Sequence, residues 1–475
     1  MQVIAPARLS QTAIAALRAR GIDARRSEEP GDDVIAWALE TTPTASAAVE
    51  LAATCARAAA AGRPVCLLAP PPRGSGRAAI ERAAALAYLR AHGAALGHDV
   101  DGWLEAVVAL CRFGMPKGPR VAVIAPEGSW LEAQAIALVA EAEAVGGRVP
   151  LVGRTGKGDE PTDVVLFDPT APDRASASLP VLQIPVAVRG ELGDDEPALY
   201  GARAAIAAMD MLGHAAERMT VGLGPAPKAA SAELSIDHER LERQLRKLAS
   251  YSRAGDHETK VLLSAYAVPI TRQGVATTPS AAVKKARDAR YPVELKPYGD
   301  DLPTEPQGCP VEKGVTSDAL VRRAFAAVLA AAGRLPTKAE SGAVIVRETP
   351  PLGRDVSVQI VKLPALGWTV VLDLPGAPQI AAAPAPLRLI DAQMLASAIG
   401  SSRAGDLDLD RSGLANLLRR VSHLVVDLDD RITKLELPRV VVGGRGSRTV
   451  VVDAWCELTF SGESSPGRLG MPRPG

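Results

Sequence analysis

Aromatic side chains make up only 3% of this 475-residue chain (four Phe, five Trp, six Tyr), so its packing must rest on small and aliphatic residues. Net charge is missing too. Lys and Arg number 54 and Asp and Glu 54, which removes any global field that would draw in nucleic acid or an anionic membrane. The five cysteines, Cys55, Cys66, Cys111, Cys309 and Cys456, stand singly, in neither CxxC nor any other metal-ligand spacing, and read as reduced core thiols. Cys66 and Cys456 fall in apolar strands, where the thiol acts as a small hydrophobe. No apolar run reaches about 18 residues and no apolar leader follows a charged start, so the reading is a cytoplasmic chain with no membrane span. The first 22 residues hold three arginines and no acid, as transit peptides do, but an ordinary helix accounts for them.

Apolar residues at 47% and charged residues at 23% describe a globular protein, and at roughly 100 to 200 residues per domain its length makes three or four domains. After a short strand and an amphipathic helix at 11–20, strand and helix alternate: a strand at 34–39, a helix at 45–61, a strand at 65–68 and a helix at 78–90. That order is α/β with a parallel sheet. A helix at 103–113 ends at Gly118-Pro119, and a second unit follows: strand 120–125, helix 131–144, strands 149–152, 163–168 and 181–184, and a helix at 198–212. Residues 222–232, GLGPAPKAASA, read as a linker. The expected domains are an N-terminal segment 1–30, parallel-sheet units 31–117 and 118–221, a linker 222–240, a larger domain 241–460 and a disordered tail 461–475.

The most informative stretch is Glu258 to Lys296. Leucines at helical spacing lead to Tyr266, and Val268-Pro269-Ile270 cannot continue a helix, so a strand is predicted there. Thr277-Thr278-Pro279-Ser280 then starts a helix that runs to Arg290, and Tyr291 to Lys296 forms a short strand. A lysine at a strand end can hold a fixed charge against a nucleotide phosphate, although most such lysines are solvated.

Glu258, Leu262, Leu263, Tyr266, Pro269, Tyr291, Pro292, Val293, Leu295 and Lys296 match the opening of the ATP-grasp half of the NDP-forming acyl-CoA synthetases, the ADP-forming acetate–CoA ligase family, which this segment resembles. Ala267 replaces that family's glycine. Asp427 to Asp453 is similar to the family's closing segment, Gly62 to Val65 resembles its K-P-V-V strand, and Pro116 to Ile124 its P-x-G-x-R-V-A-I-V. The resemblance implies two flavodoxin-like, succinyl-CoA synthetase-type parallel-sheet domains followed by an ATP-grasp domain. It also implies nucleotide contacts from Lys296, Lys260 and Asp355, metal ligands at Glu436 and Asp453, and ATP or ADP with Mg²⁺ as ligands. Only about thirty residues precede the first flavodoxin-like unit, so the family's N-terminal CoA-binding domain is expected to be missing and CoA is a doubtful ligand.

Where the family carries its phosphohistidine in S-H-T-G, this chain reads Gly76 to Ala84 without a histidine. His92 and His98 follow outside the motif. His214, His238, His257 and His423 have no partner pattern and read as helix-surface residues. The family's H-K-S/T-x-x-G-G-V segment is replaced by Leu302 to Val311, whose three prolines remove the N–H donors a phosphate cradle needs. Its D-I-N-P aligns with Glu436-Leu437-Pro438-Arg439, which removes an oxygen ligand for Mg²⁺. Leu374 to Ala377 stands in place of the glycine loop. Glu436 and Asp453 read equally well as ligands or as surface carboxylates flanking a hairpin.

Three readings follow: a degenerate relative with an assembly or regulatory role beside a CoA-binding subunit or paralogue, an active carboxylate-activating ligase that needs no phosphohistidine, or a scaffold without ligand. A homo- or hetero-oligomer is expected, and no nucleic-acid or membrane partner.

Overall fold

The computed structural model describes residues 1–31, 33–144, 151–153, 162–169, 181–188, 197–299, 302, 308–335, 342–373, 380–399, 409–444 and 446–459. The loop expected at 374–377, residues 303–307 of the segment 302–311 and the tail from 461 lie outside them. The chain divides into two compact units. One comprises Met1–Pro227, Lys362–Arg419 and Gly444–Gly446, and the other Lys228–Val361, Arg420–Gly443 and Ser447–Gly475.

In chain order the first unit begins with β1 (Gln2–Ile4), α1 (Ala7–Arg18), β2 (Arg25–Arg26), β3 (Ile35–Ala38), α2 (Ala45–Ala60), β4 (Cys66–Leu68), α3 (Arg77–Ala91), β5 (Ala95–Gly97) and α4 (Val100–Arg112). Its strands pair in parallel in the order β2-β1-β3-β4-β5, the flavodoxin-like order. The N-terminal segment thus supplies two strands of this sheet, the edge strand β2 and the interior strand β1. Helix starts are fixed locally: Thr44 accepts from Ala47 N at 3.3 Å to cap α2, and Asp99 accepts from Gly102 N at 2.6 Å to cap α4.

A second all-parallel sheet follows, from β6 (Val121–Ile124), α5 (Trp130–Ala144), β7 (Leu151–Gly153), β8 (Val164–Phe167), β9 (Leu182–Ala187), β10 (Leu199–Tyr200) and α6 (Ala202–Val221). Its order, β10-β9-β8-β6-β7, is the same topology read from the other edge. With few rings available, the core joining these layers is alanine, valine and leucine around one fully buried tryptophan, Trp103, whose Nε1 donates to Cys66 O at 2.8 Å. Arg20 holds the buried Glu105 through two nitrogens at 2.6 and 3.0 Å, and Glu105 also accepts from Tyr200 N. Both expected flavodoxin-like sheets are therefore present. Four of the five cysteines are buried, Cys111 partly so, and all are free thiols.

The second unit contains α7 (His238–Lys247), β11 (Arg253–Ala254), α8 (Asp256–Ala265), β12 (Gln273–Ala276), α9 (Pro279–Ala289), β13 (Val293–Pro297), β14 (Glu312–Val315), α10 (Asp318–Ala332) and β15 (Val344–Glu348). The chain continues through β16 (Gly353–Leu363), β17 (Gly367–Asp373), β18 (Ala381–Pro384), α11 (Leu389–Ser397), α12 (Arg411–Asp427), β19 (Ile432–Gly443) and β20 (Val450–Leu458). The pair β17 and β18 and helix α11 fall in the first unit. There Asp391 of α11 accepts from the buried Arg218 of α6 and from Arg388 N at 3.2 Å.

Two antiparallel arrays make up the second unit. The first runs β12-β15-β13-β14, and in the other β11 borders β20, which pairs with β19, which pairs with β16. The strand predicted at Val268 starts late: Pro269 has no N–H to give, Ile270 makes one bridge to Val451, and the regular ladder begins at Gln273. Sequence alternation decides which face is which. Val293, Leu295, Val344 and Val346 pack under α9 and α10, so Glu294, Lys296, Ile345 and Arg347 must point to the opposite face.

Candidate functional site

That opposite face meets β20 and the first turn of α8, and six ionised groups gather there. Glu294 and Arg347 are cross-strand partners on β13 and β15, joined Nη2 to Oε2 at 2.8 Å. Arg347 Nη1 continues to Asp453 Oδ1 on β20, also at 2.8 Å. Lys296 Nζ donates to the same Oδ1 at 2.6 Å and lies 3.0 Å from Asp256 Oδ2. Asp256, at the first position of α8, accepts from Ala454 N at 3.0 Å and sits 3.2 Å from Lys260, one turn along the helix. Lys260 also donates to Thr271 Oγ1 at 3.1 Å, Gln273 Oε1 at 2.8 Å and Val452 O.

Charge balance is complete within this set: Lys260, Lys296 and Arg347 face Asp256, Glu294 and Asp453. The side chains are 12% exposed or less. Burial opposes the charge of Asp453, but Lys296, Arg347 and Lys260 together hold its carboxyl well below the usual carboxylate range. Asp256 is held down in the same way by Lys260 and Lys296. Burial also works against the Lys296 ammonium, yet Asp256 and Asp453 outweigh it and raise its pKa. At Lys260 burial, aided by the neighbouring Lys296 and Arg347, outweighs Asp256 and Asp453 and lowers it to about 8.

The cleft over Lys296 has a charged end, formed by Arg253, Asp256, Lys296 and Asp453, and apolar walls that include Ile345 and Trp455. Arg253 lies over the Trp455 ring at 4.3 Å. The open space amounts to about 40 Å³.

Of the sequence-predicted residues, Lys260, Lys296 and Asp453 converge on this network. Asp355 sits on β16 with its side chain 51% exposed, 3.1 Å from Arg439. Glu436 pairs with Lys434 on its own strand, β19. Asp453 Oδ1 already accepts from two cations, and its neighbour across β19 is Arg439. Among the described residues no three His, Cys, Asp or Glu side chains are arranged to hold a metal. Asp453 and Glu436 are thus both engaged by cations in this arrangement. His423 corrects the surface reading given to it: it is fully buried on α12, within the stretch 421–426 in which every residue is buried.

Sequence reasoning missed Asp256, Glu294 and Arg347. The signal was present in Val293-Glu294-Leu295-Lys296 and Val344-Ile345-Val346-Arg347, where charges alternate with aliphatics inside strands too apolar to be exposed.

Comparison with known proteins fits this architecture. Residues 249–458 match the family model of an ATP-grasp domain. Over 209 residues the chain is 25% identical to the acetate–CoA ligase [ADP-forming] II subunit beta of Pyrococcus furiosus, covering 42% of this chain and 89% of that one. It is 24% identical over 208 residues to the 4-hydroxybutyrate–CoA ligase [ADP-forming] of Nitrosopumilus maritimus, covering 42% of this chain and 30% of that one. A solved structure of the dinucleotide forming acetyl-coenzyme A synthetase 1 of Ca. Korarchaeum cryptofilum, in complex with coenzyme A and Ca-AMPCP, aligns at 23% identity and a TM-score of 0.42, over 46% of this chain and 98% of that one. Residues 249–458 form an ATP-grasp domain homologous to the β subunits of ADP-forming acetate–CoA ligases.

Proposed function

We propose that this protein is a degenerate ATP-grasp relative of the ADP-forming acyl-CoA ligases, with lost or weakened catalysis and a cytoplasmic role in assembly or regulation. The observation that carries this reading is the double engagement of Asp453 by Lys296 and Arg347, which leaves the carboxylate committed to cations rather than to a metal. One further point supports it: no histidine occurs between Gly76 and Ala84 to relay a phosphoryl group. As matched relatives are named as β subunits, the natural partner is a CoA-binding subunit or an active paralogue in a homo- or hetero-oligomer.

Calorimetry with ATP and ADP, with and without Mg²⁺, tests the reading. Binding that is absent or indifferent to Mg²⁺, with no acyl-CoA-dependent formation of ATP, is the expected result. Mg²⁺-dependent binding together with turnover by the purified chain would overturn it.

A second reading, an active carboxylate-activating ligase, draws on the convergence of Lys296, Lys260 and Asp453 beside one cleft. On that reading Lys296→Ala abolishes ATP hydrolysis, and an unchanged rate in the variant removes it.

A further inference from the structure

The fully buried Lys260 also borders a separate cleft of about 430 Å³ between α7, α8, β12 and α9, within the size range of small-molecule sites. Arg240, Arg272 and Lys285 line it, and Asp288 is the carboxylate among its lining residues. Lys285 is the telling side chain. Its stem lies across Gly274, where a Cβ would come within 2.6 Å of Cδ, so the glycine makes the bed on which this half-buried lysine rests. Among the described residues its ammonium makes no hydrogen bond or ion pair. Arg272 commits Nε and its backbone N to Glu348, at 2.7 and 2.9 Å, and its terminal nitrogens make no hydrogen bond among the described residues. Arg240 reaches Ser264 Oγ at 3.3 Å and lies 3.8 Å from Asp237 through Nε, with its side chain half exposed. His257 stands in the same wall, with Asp256, Glu258, Lys260 and Lys285 as its charged neighbours.

We propose that this cleft binds a small multivalent anion of the phosphate class, a phosphate or diphosphate group, held by Lys285, Arg272 and Arg240 above Lys260. Planar guanidinium forks and a lysine point charge suit tetrahedral oxyanions. The inference does not depend on the nucleotide reading, because Lys296 and Asp453 line the other cleft. His257 supplies a local reporter. Burial, aided by Lys260 and Lys285, holds its imidazole below the ordinary range against the pull of Glu258 and Asp256, and an anion seated beside it would raise that value.

The test is titration of the full chain with inorganic pyrophosphate and with inorganic phosphate, followed by calorimetry and by the imidazole signals in NMR, with His257 assigned through His257→Gln. Saturable binding with an upward shift of the His257 pKa is expected, pyrophosphate binding more tightly than phosphate. Lys285→Ala should weaken binding about tenfold, the scale of one charge-assisted hydrogen bond, and Lys285→Glu should remove it. Absence of binding, or binding that survives Lys285→Glu, overturns the proposal. Urea midpoints of the two Lys285 variants equal to that of the parent exclude misfolding as the cause of any loss.

Discussion

Lys296 Nζ donates to Asp453 Oδ1 at 2.6 Å, and this bond ties β13 of one antiparallel array to β20 of the other. Both groups are buried, so the pair is not the weak surface contact that most ion pairs are. Asp453→Asn would leave Lys260, Lys296 and Arg347 facing only Asp256 and Glu294. The expected cost is about 3 to 5 kcal/mol, the range for removing one partner of a buried pair. Urea denaturation measures it. A double variant that replaces Lys296 with Met and Asp453 with Leu should recover part of the loss, because no charge at either position is then left uncompensated. A loss under about 1 kcal/mol in Asp453→Asn would mean that the network is solvated and the pair ordinary.

The same network gives the unit a pH dependence of mixed sign. Lys260 falls to about 8 in the folded chain, against 10.5 as its ordinary value. Between those two values the unfolded chain holds more protons than the folded one, so the stability contributed at this position rises with pH. Lys296 has the opposite sign, since its raised pKa makes its contribution fall only above about 10.5. Asp453 adds stability above the usual carboxylate range that is lost as pH drops through its own depressed value. Urea stability measured from pH 7 to 10 should therefore climb more steeply above about pH 8 in the parent chain than in Lys260→Met. Parallel curves for the two proteins would show that the Lys260 ammonium is not buried in solution.

Much of this was legible in the sequence, and the parts that were not have physical reasons. Alternation of apolar strands with helices is a local signal, so α2, α3, α9 and β13 fall where the periodicity and, for α9, the Thr278 start signal put them. Strand order is not local, and in the first half it followed from resemblance rather than from pattern. Lys296 stood out because it closes a strand, and Asp453 because a hydrophobic run ends there. Asp256 did not, because a carboxylate in the first turn of a helix reads as a favourable dipole contact, and only the fold brings it between Lys260 and Lys296. Asp355 and Glu436 carry no local signal beyond the resemblance, and their side chains pair with Arg439 and Lys434 of β19 and are not among the residues that line the Lys296 cleft.

One departure from the resembled pattern has a backbone cost. Ala267 stands where the acyl-CoA synthetases carry glycine, and its φ is +52°, in the left-handed region that a Cβ disfavours. The conformation is imposed by the end of α8: Tyr266 closes the helix, Ala267 N donates to Ser264 O at 3.0 Å, and Val268 N turns back to Leu263 O at 3.2 Å. This is a helix C-terminus of the kind that selects glycine. Ala267→Gly removes a strain of about 1 kcal/mol or more, and the added freedom of the unfolded chain takes back part of it. The expected result is a gain in urea stability of up to about 1 kcal/mol, with no change in the pyrophosphate response of His257. A destabilised Ala267→Gly would show that the turn after α8 does not hold its left-handed residue in solution, and the approach of Thr271 and Gln273 to Lys260 that depends on that turn would fall with it.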